Sequence, residues 1–153
     1  MKQFRAAVEA GDFAALGDLL ADDVVFRSPV AFKPYEGRAI VAAILRGVGR
    51  VFQDFRYVRE LADPDGRGSA LVFETVVDGV SVNGIDLIRA NEAGLISELT
   101  VMVRPLSGAN ALAQAMGAQF DQIQAEALAD LTGVGTEPAT QPALTADPAG
   151  DRT

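Results

Sequence analysis

Apolar positions along the chain change period several times, and each change predicts an element. Residues 2–9 and 12–20 carry helical spacing broken at "AGD", with Gly11 suited to a C′ position and Asp12 able to cap the helix that follows. "VVFR" (24–27) is a short strand, stopped by Ser28-Pro29 because proline cannot donate to a ladder. The loop "AFKPYEG" follows. Ile40, Val41, Ile44, Leu45 and Val48 then fall on one face of a helix.

From Phe55 the period becomes two. "FRYVREL", "SALVFETVV", "VSVNGIDLIR" and "LISELTVMVRPL" read as strands, separated by the turn clusters "ADPDGRG", "DG" and "NEAG". Leu112, Met116, Phe120, Ile123 and Ala127 predict one helix over 108–131. Residues 132–153, rich in Pro, Thr, Ala and Gly, have little to bury and predict a disordered tail. Helices, a short strand, a helix and a run of antiparallel strands make an α+β layout, with helices on one face of a curved sheet.

One position breaks the strand pattern. If Asp78-Gly79 forms a two-residue turn, Val77 pairs with Val80, Thr75 with Val82, Phe73 with Gly84, and Leu71 with Asp86. Period two then puts Leu71, Phe73, Thr75, Val82, Gly84, Asp86 and Ile88 on the helix-facing side. Glu74 and Asn83 fall on the other. Asp86 is thereby a carboxylate among hydrocarbon, which must be paired, hydrogen-bonded or held neutral. Three readings stay open: an ion pair with Arg38, Arg27 or Arg104, an acid in a pocket wall, or an Asp86 that lies on the other face. Val72, Val76, Ile85, Leu87 and Met102 form an apolar patch on the opposite face.

Composition narrows the chemistry. The 153 residues suit one domain, and a formal charge of −8 disfavours nucleic acid and anionic membrane surfaces. With no Cys and no His, thiolate chemistry, zinc thiolate sites and the commonest general base are excluded. No apolar run is long enough to span a bilayer, and the first residues lack the apolar core of a signal peptide. A cytoplasmic protein is expected. The absence of a metal-ligand cluster or a nucleotide-binding glycine loop predicts no cofactor.

Four segments, "AVEAGDFAALGDLLADDVVFRSPV", "PYEGRAIVAAIL", the alternating strands, and "GIDLIRANEAGLISELTVMVRPL", resemble in order and spacing the SnoaL-like, nuclear transport factor 2-like superfamily. That resemblance implies a cone-shaped, strongly curved antiparallel sheet wrapped around helices over residues 1–106; the C-terminal helix expected at 107–131 lies beyond it. It implies a deep apolar cavity and homodimers packed through the convex sheet face. Members of the superfamily include isomerases, epoxide hydrolases, cyclases, dehydratases and binding modules, so the fold leaves function open.

Within it, "IDLIRANEAGL" resembles the ketosteroid isomerase strand whose protonated Asp donates to an oxyanion, which implies that role for Asp86. The partner Tyr of that family falls on Phe4, and its general base on Ser28. One catalytic group of three is matched. The expected function is binding of a small apolar carbonyl- or hydroxyl-bearing molecule, polyketide- or steroid-like. The alternatives are an isomerase-, cyclase- or dehydratase-type enzyme using Asp86 as acid or oxyanion donor, and a non-catalytic dimerisation module. The expected lining is Phe4, Ser28, Tyr35, Leu71, Phe73, Thr75, Asp86, Ile88, Leu99, Val101 and Val103.

Overall fold

The computed structural model describes residues 1–133; the predicted tail lies, from residue 134 on, outside the described residues. α1 (Lys2–Glu9) leads through Gly11, at φ +70°, into a 3₁₀ helix at Phe13–Leu19. Asp12 caps that helix by accepting the Ala15 N–H at 3.2 Å. β1 (Leu20–Arg27), β2 (Tyr35–Glu36) and α2 (Arg38–Val51) follow. The long strands are β3 (Gln53–Ala62), β4 (Gly68–Val77), β5 (Val80–Ala90) and β6 (Ile96–Arg104), and the described chain ends in α3 (Leu106–Gly117) and α4 (Phe120–Thr132).

The architecture is α+β, a curled and unclosed six-stranded sheet in the order β2-β1-β6-β5-β4-β3. All neighbours are antiparallel except β1 and β6, which run parallel. At the β4–β5 turn Asp78 and Gly79 have φ of +48° and +77°, the geometry that matches strand twist. The four predicted pairs, Val77↔Val80, Thr75↔Val82, Phe73↔Gly84 and Leu71↔Asp86, are all present. Leu71, Phe73, Thr75, Val82, Asp86 and Ile88 are accordingly buried. Leu71, Phe73 and Ile88 meet Phe4, Val8, Val41, Ile44 and Leu45 from α1 and α2 in the main core, and Val82 packs with Val77 and Leu112 in a second cluster.

Four local expectations change. The segment 12–20 forms a 3₁₀ helix whose end passes straight into a strand starting at Leu20, and Leu20, Val24 and Phe26 of that strand are buried. Tyr35 is not in a loop but in a two-residue edge strand opposite Phe26. Helix 108–131 is two helices, because a straight rod of that length, roughly 36 Å, outruns a small domain. The chain turns at Ala118-Gln119, so that α3 packs on the β4–β6 end and α4 on α2. α4 is fastened there by Ile123 over Gly47 and by Arg46 and Arg50 with Glu126 and Asp130. The C-terminal helices therefore cover the concave side, and Leu87 and Met102 stay exposed on the convex one.

Gly84 is required by close approach. A Cβ there would come within 2.3 Å of the Phe73 ring, whereas one on Gly17 would meet the Ala42 Cβ at an ordinary 3.5 Å. Gly84→Ala is expected to destabilise the protein by about 1–3 kcal/mol. Gly17→Ala should stay within about 1 kcal/mol of the parent. Urea midpoints of the two variants check this, and equal midpoints contradict it.

Candidate functional site

Between the concave sheet and the helices lies a pocket of about 330 Å³. Its walls are Phe4 and Val8 of α1, Ile44, Leu45 and Val48 of α2, Phe26, Leu99 and Val101 of the sheet, and Leu112, Met116, Phe120 and Ile123 of the C-terminal helices. Four polar side chains reach it: Ser28, Tyr35, Tyr57 and Asp86. A pocket lined by hydrocarbon with a few placed polar groups is the ordinary form of a small-molecule site.

Asp86 retains 8% of its exposure and accepts a hydrogen bond at Oδ2 from the Tyr57 hydroxyl, 2.8 Å away. Among the described residues no arginine takes part. Arg27 pairs with Glu98, and Arg38 holds the Leu20 carbonyl through two N–H groups and Asp22 through one nitrogen. Arg104 lies on the exposed face. The ion-pair reading of Asp86 gives way to a hydrogen bond from a neutral donor.

Tyr57 reaches Asp86 from two strands away. It pairs with Phe73, which pairs with Gly84, two residues before Asp86 on the same face of β5. Phe73 occupies the space that a Gly84 side chain would fill. The Tyr57 ring is held by Phe55 edge-on at 4.9 Å, while the Arg5 guanidinium sits 5.6 Å from its centroid. Arg5 is itself tied to Glu9 and Glu60, each at 2.9 Å.

Burial in hydrocarbon pushes the Asp86 carboxyl up to about 7, with the Tyr57 bond pulling the other way. Burial, and then the Asp86 charge, hold the Tyr57 phenol above its ordinary value. Tyr57 therefore remains the donor, and Asp86 changes charge near neutrality. An acid in that range can donate to a carbonyl when neutral and accept from a hydroxyl when ionised.

Of the expected lining, Phe4, Ser28, Tyr35, Asp86, Leu99 and Val101 are in the pocket wall. Leu71, Phe73, Thr75, Ile88 and Val103 are not; the sheet's curl turns them into packing. Leu71, Phe73 and Ile88 are core, Val103 packs partly buried beside it, and the Thr75 hydroxyl donates to the Gln53 carbonyl at 2.8 Å. Tyr57 was outside the expected set. It shares parity with Phe55 in a strand, but the register shifts of β3 keep that parity from placing it beside Asp86. The wall contributed by α3 and α4 was likewise missed, because nothing local shows which face of the sheet a terminal helix covers.

The model of the SnoaL-like domain matches residues 1–99, well over half of the chain. The chain belongs to the SnoaL-like family. This SnoaL-like chain is similar to a steroid delta-isomerase from Pseudomonas aeruginosa, with 42% identity over 81% of this chain and 90% of that one and a TM-score of 0.76. It also resembles an uncharacterised protein with a cystatin-like fold from Silicibacter pomeroyi, at 38% identity over 80% and 89% of the two chains, TM-score 0.71. A nuclear transport factor 2-like protein from Mesorhizobium loti shares the fold at 23% identity over 69% and 88%, TM-score 0.60. No curated protein matches the SnoaL-like chain. Among the described residues no helix is long and apolar enough to cross a membrane, and no cluster of acidic residues is arranged to hold a metal.

The raised carboxyl of Asp86 has a consequence for stability. Because its folded value, about 7, lies above its ordinary 3.8, folding takes up a proton between those values. The contribution is therefore intact below about pH 4, declines as pH rises, and is lost above about pH 7, a total on the order of 4 kcal/mol. Asp86→Asn should remove that slope, so that the variant gains on the parent from pH 4 to 8. Urea unfolding of both proteins across that range measures it; parallel curves refute the raised carboxyl.

Proposed function

We propose that this SnoaL-like protein binds a small apolar molecule bearing a carbonyl or hydroxyl oxygen, anchored by Asp86 in the pocket wall. The observation that carries the reading is the Tyr57–Asp86 hydrogen bond in the wall of a mostly hydrocarbon pocket. With Tyr57 donating to Oδ2, a neutral Asp86 has a proton for a ligand carbonyl and an ionised one has a lone pair for a ligand hydroxyl. Phe4, Leu99 and Val101 supply apolar contact around that anchor.

A catalytic reading, an isomerase-type proton transfer, is favoured by the 42% identity with the steroid delta-isomerase. It requires a base, and the position that the resemblance assigns to the base holds Ser28, with no His in the chain to activate it. Absence of turnover of a Δ5-3-ketosteroid, followed by the ultraviolet absorbance of the conjugated product, supports binding; turnover that depends on Asp86 reverses the choice.

The anchor is tested by pH. A bicyclic ketone such as 2-decalone should bind the parent roughly tenfold more weakly at pH 8 than at pH 6, as neutral Asp86 disappears. Asp86→Asn, whose amide donates at every pH, should show a flat profile. A flat parent profile that is unchanged by the substitution removes Asp86 from the site.

Self-association through the convex face accompanies this reading. Leu87 and Met102 are exposed there, flanked by half-buried Val72, Val76 and Ile85. At micromolar concentration light scattering should give a dimer's mass, and Leu87→Glu with Met102→Glu should give a folded monomer. A monomeric parent ends this part of the proposal.

A further inference from the structure

The polar groups of the pocket fall into two places. The Tyr57–Asp86 pair is on β3 and β5, while Ser28 and Tyr35 stand at the β1–β2 edge. Their separation follows from strand register. Phe26 and Arg27 pair in parallel with Leu99 and Thr100, and extending that register by one residue past the end of β1 sets Ser28 beside Val101. The other neighbour of Val101 is Asp86. Ser28 and Asp86 thus flank Val101, two interstrand spacings or about 10 Å apart along the sheet. All three face the pocket, and the wall between them is hydrocarbon.

Neither hydroxyl at the edge has its proton committed. Ser28 Oγ accepts the Val30 N–H at 3.1 Å, which leaves its O–H free to donate. The Tyr35 ring packs between Phe26 and Phe120, at centroid distances of 6.4 and 6.3 Å. Its hydroxyl enters no hydrogen bond among the described residues. Both residues line the pocket and are only half-buried, so an occupant that covers their hydroxyls is favoured if it can accept from them, because an unmatched donor costs free energy on desolvation.

We infer that the ligand carries two oxygen functions at opposite ends of a flat apolar body, one held by Asp86 and the other by the Ser28 and Tyr35 hydroxyls. This rests on the reading of Asp86 as the anchor. A ligand with a single oxygen would place hydrocarbon against one of the two polar ends, and a compact polar molecule would leave the stretch around Val101 unfilled.

Two biphenyls separate the ideas: 4-phenylphenol, with one oxygen, and 4,4′-biphenol, with one at each end. Titration calorimetry on the full chain should give biphenol an advantage of about three- to tenfold beyond the twofold statistical gain of a symmetric ligand. Ser28→Ala with Tyr35→Phe should abolish that advantage while 4-phenylphenol binding is kept; each single variant should remove part of it, which covers failure of the double variant to fold. Asp86→Leu, with folding checked by thermal unfolding, should weaken both ligands. If the parent shows no advantage for biphenol, the two-ended ligand is overturned although the Asp86 anchor stands. If Asp86→Leu binds both ligands like the parent, the anchor reading falls, and this inference with it. Failure of both biphenyls to bind at millimolar concentration overturns the inference as well.

Discussion

A carboxylate taken out of water must give up its charge or find hydrogen-bond donors, and the Tyr57–Asp86 contact is how this fold satisfies the requirement. Much of the concave face is organised around it. The Asp78-Gly79 turn sets the register that turns Asp86 inward, and Gly84 leaves room for Phe73 to lie beside the path of Tyr57. Phe55 and Arg5 hold the phenol ring from two directions. A donor that is neutral and itself hard to ionise leaves Asp86 free to titrate near neutrality, which an arginine partner would have prevented.

Two of the arginines that could have paired with Asp86 are engaged elsewhere, Arg27 with Glu98 and Arg38 with Asp22 and the Leu20 carbonyl. Arg38 ties the start of α2 to the Leu20 carbonyl, and Arg46 and Arg50 fix α4 across α2. These pairs are partly solvated and individually weak. Their structural effect is geometric, since α4 held in this position makes Ile123 and Phe120 part of the pocket wall. Electrostatics thus shapes the pocket from outside, while its interior is mostly hydrocarbon around the Tyr57–Asp86 hydrogen bond.

The β4–β5 hairpin and the inward turn of Asp86 were legible in the sequence because a two-residue turn and a period of two leave no freedom of register. The same counting could not reach Tyr57. β3 pairs with β4 across a longer connection and through two irregularities, between Gln53 and Arg56 and between Tyr57 and Arg59, and parity does not survive a bulge. The parallel pairing of β1 with β6 joins segments some seventy residues apart, which no local pattern encodes. Tyr35–Glu36 is too short to carry a period at all. The break at Ala118-Gln119 was hidden for a different reason: the apolar stripe from Leu112 to Ala127 runs on through it, so periodicity alone shows one helix where chain length and domain size demand two.

The position of the hydroxyl matters more than its presence. Resemblance to the ketosteroid isomerases implies a Tyr at position 4, acting beside the acid on the same ligand oxygen; Phe4 lines the pocket but has nothing to donate. The hydroxyl supplied by Tyr57 comes from β3, and its proton goes to Asp86 Oδ2. In the proposed complex a ligand oxygen therefore meets one donor instead of two, with Tyr57 polarising that donor. One donor suffices to orient a bound ligand, but stabilising charge that develops in a transition state draws on each preorganised hydrogen bond, often at several kcal/mol apiece. Absence of the second donor at Phe4 and of a carboxylate at Ser28 thus weighs far more heavily on catalysis than on binding, which is the ground for proposing a binder before an isomerase.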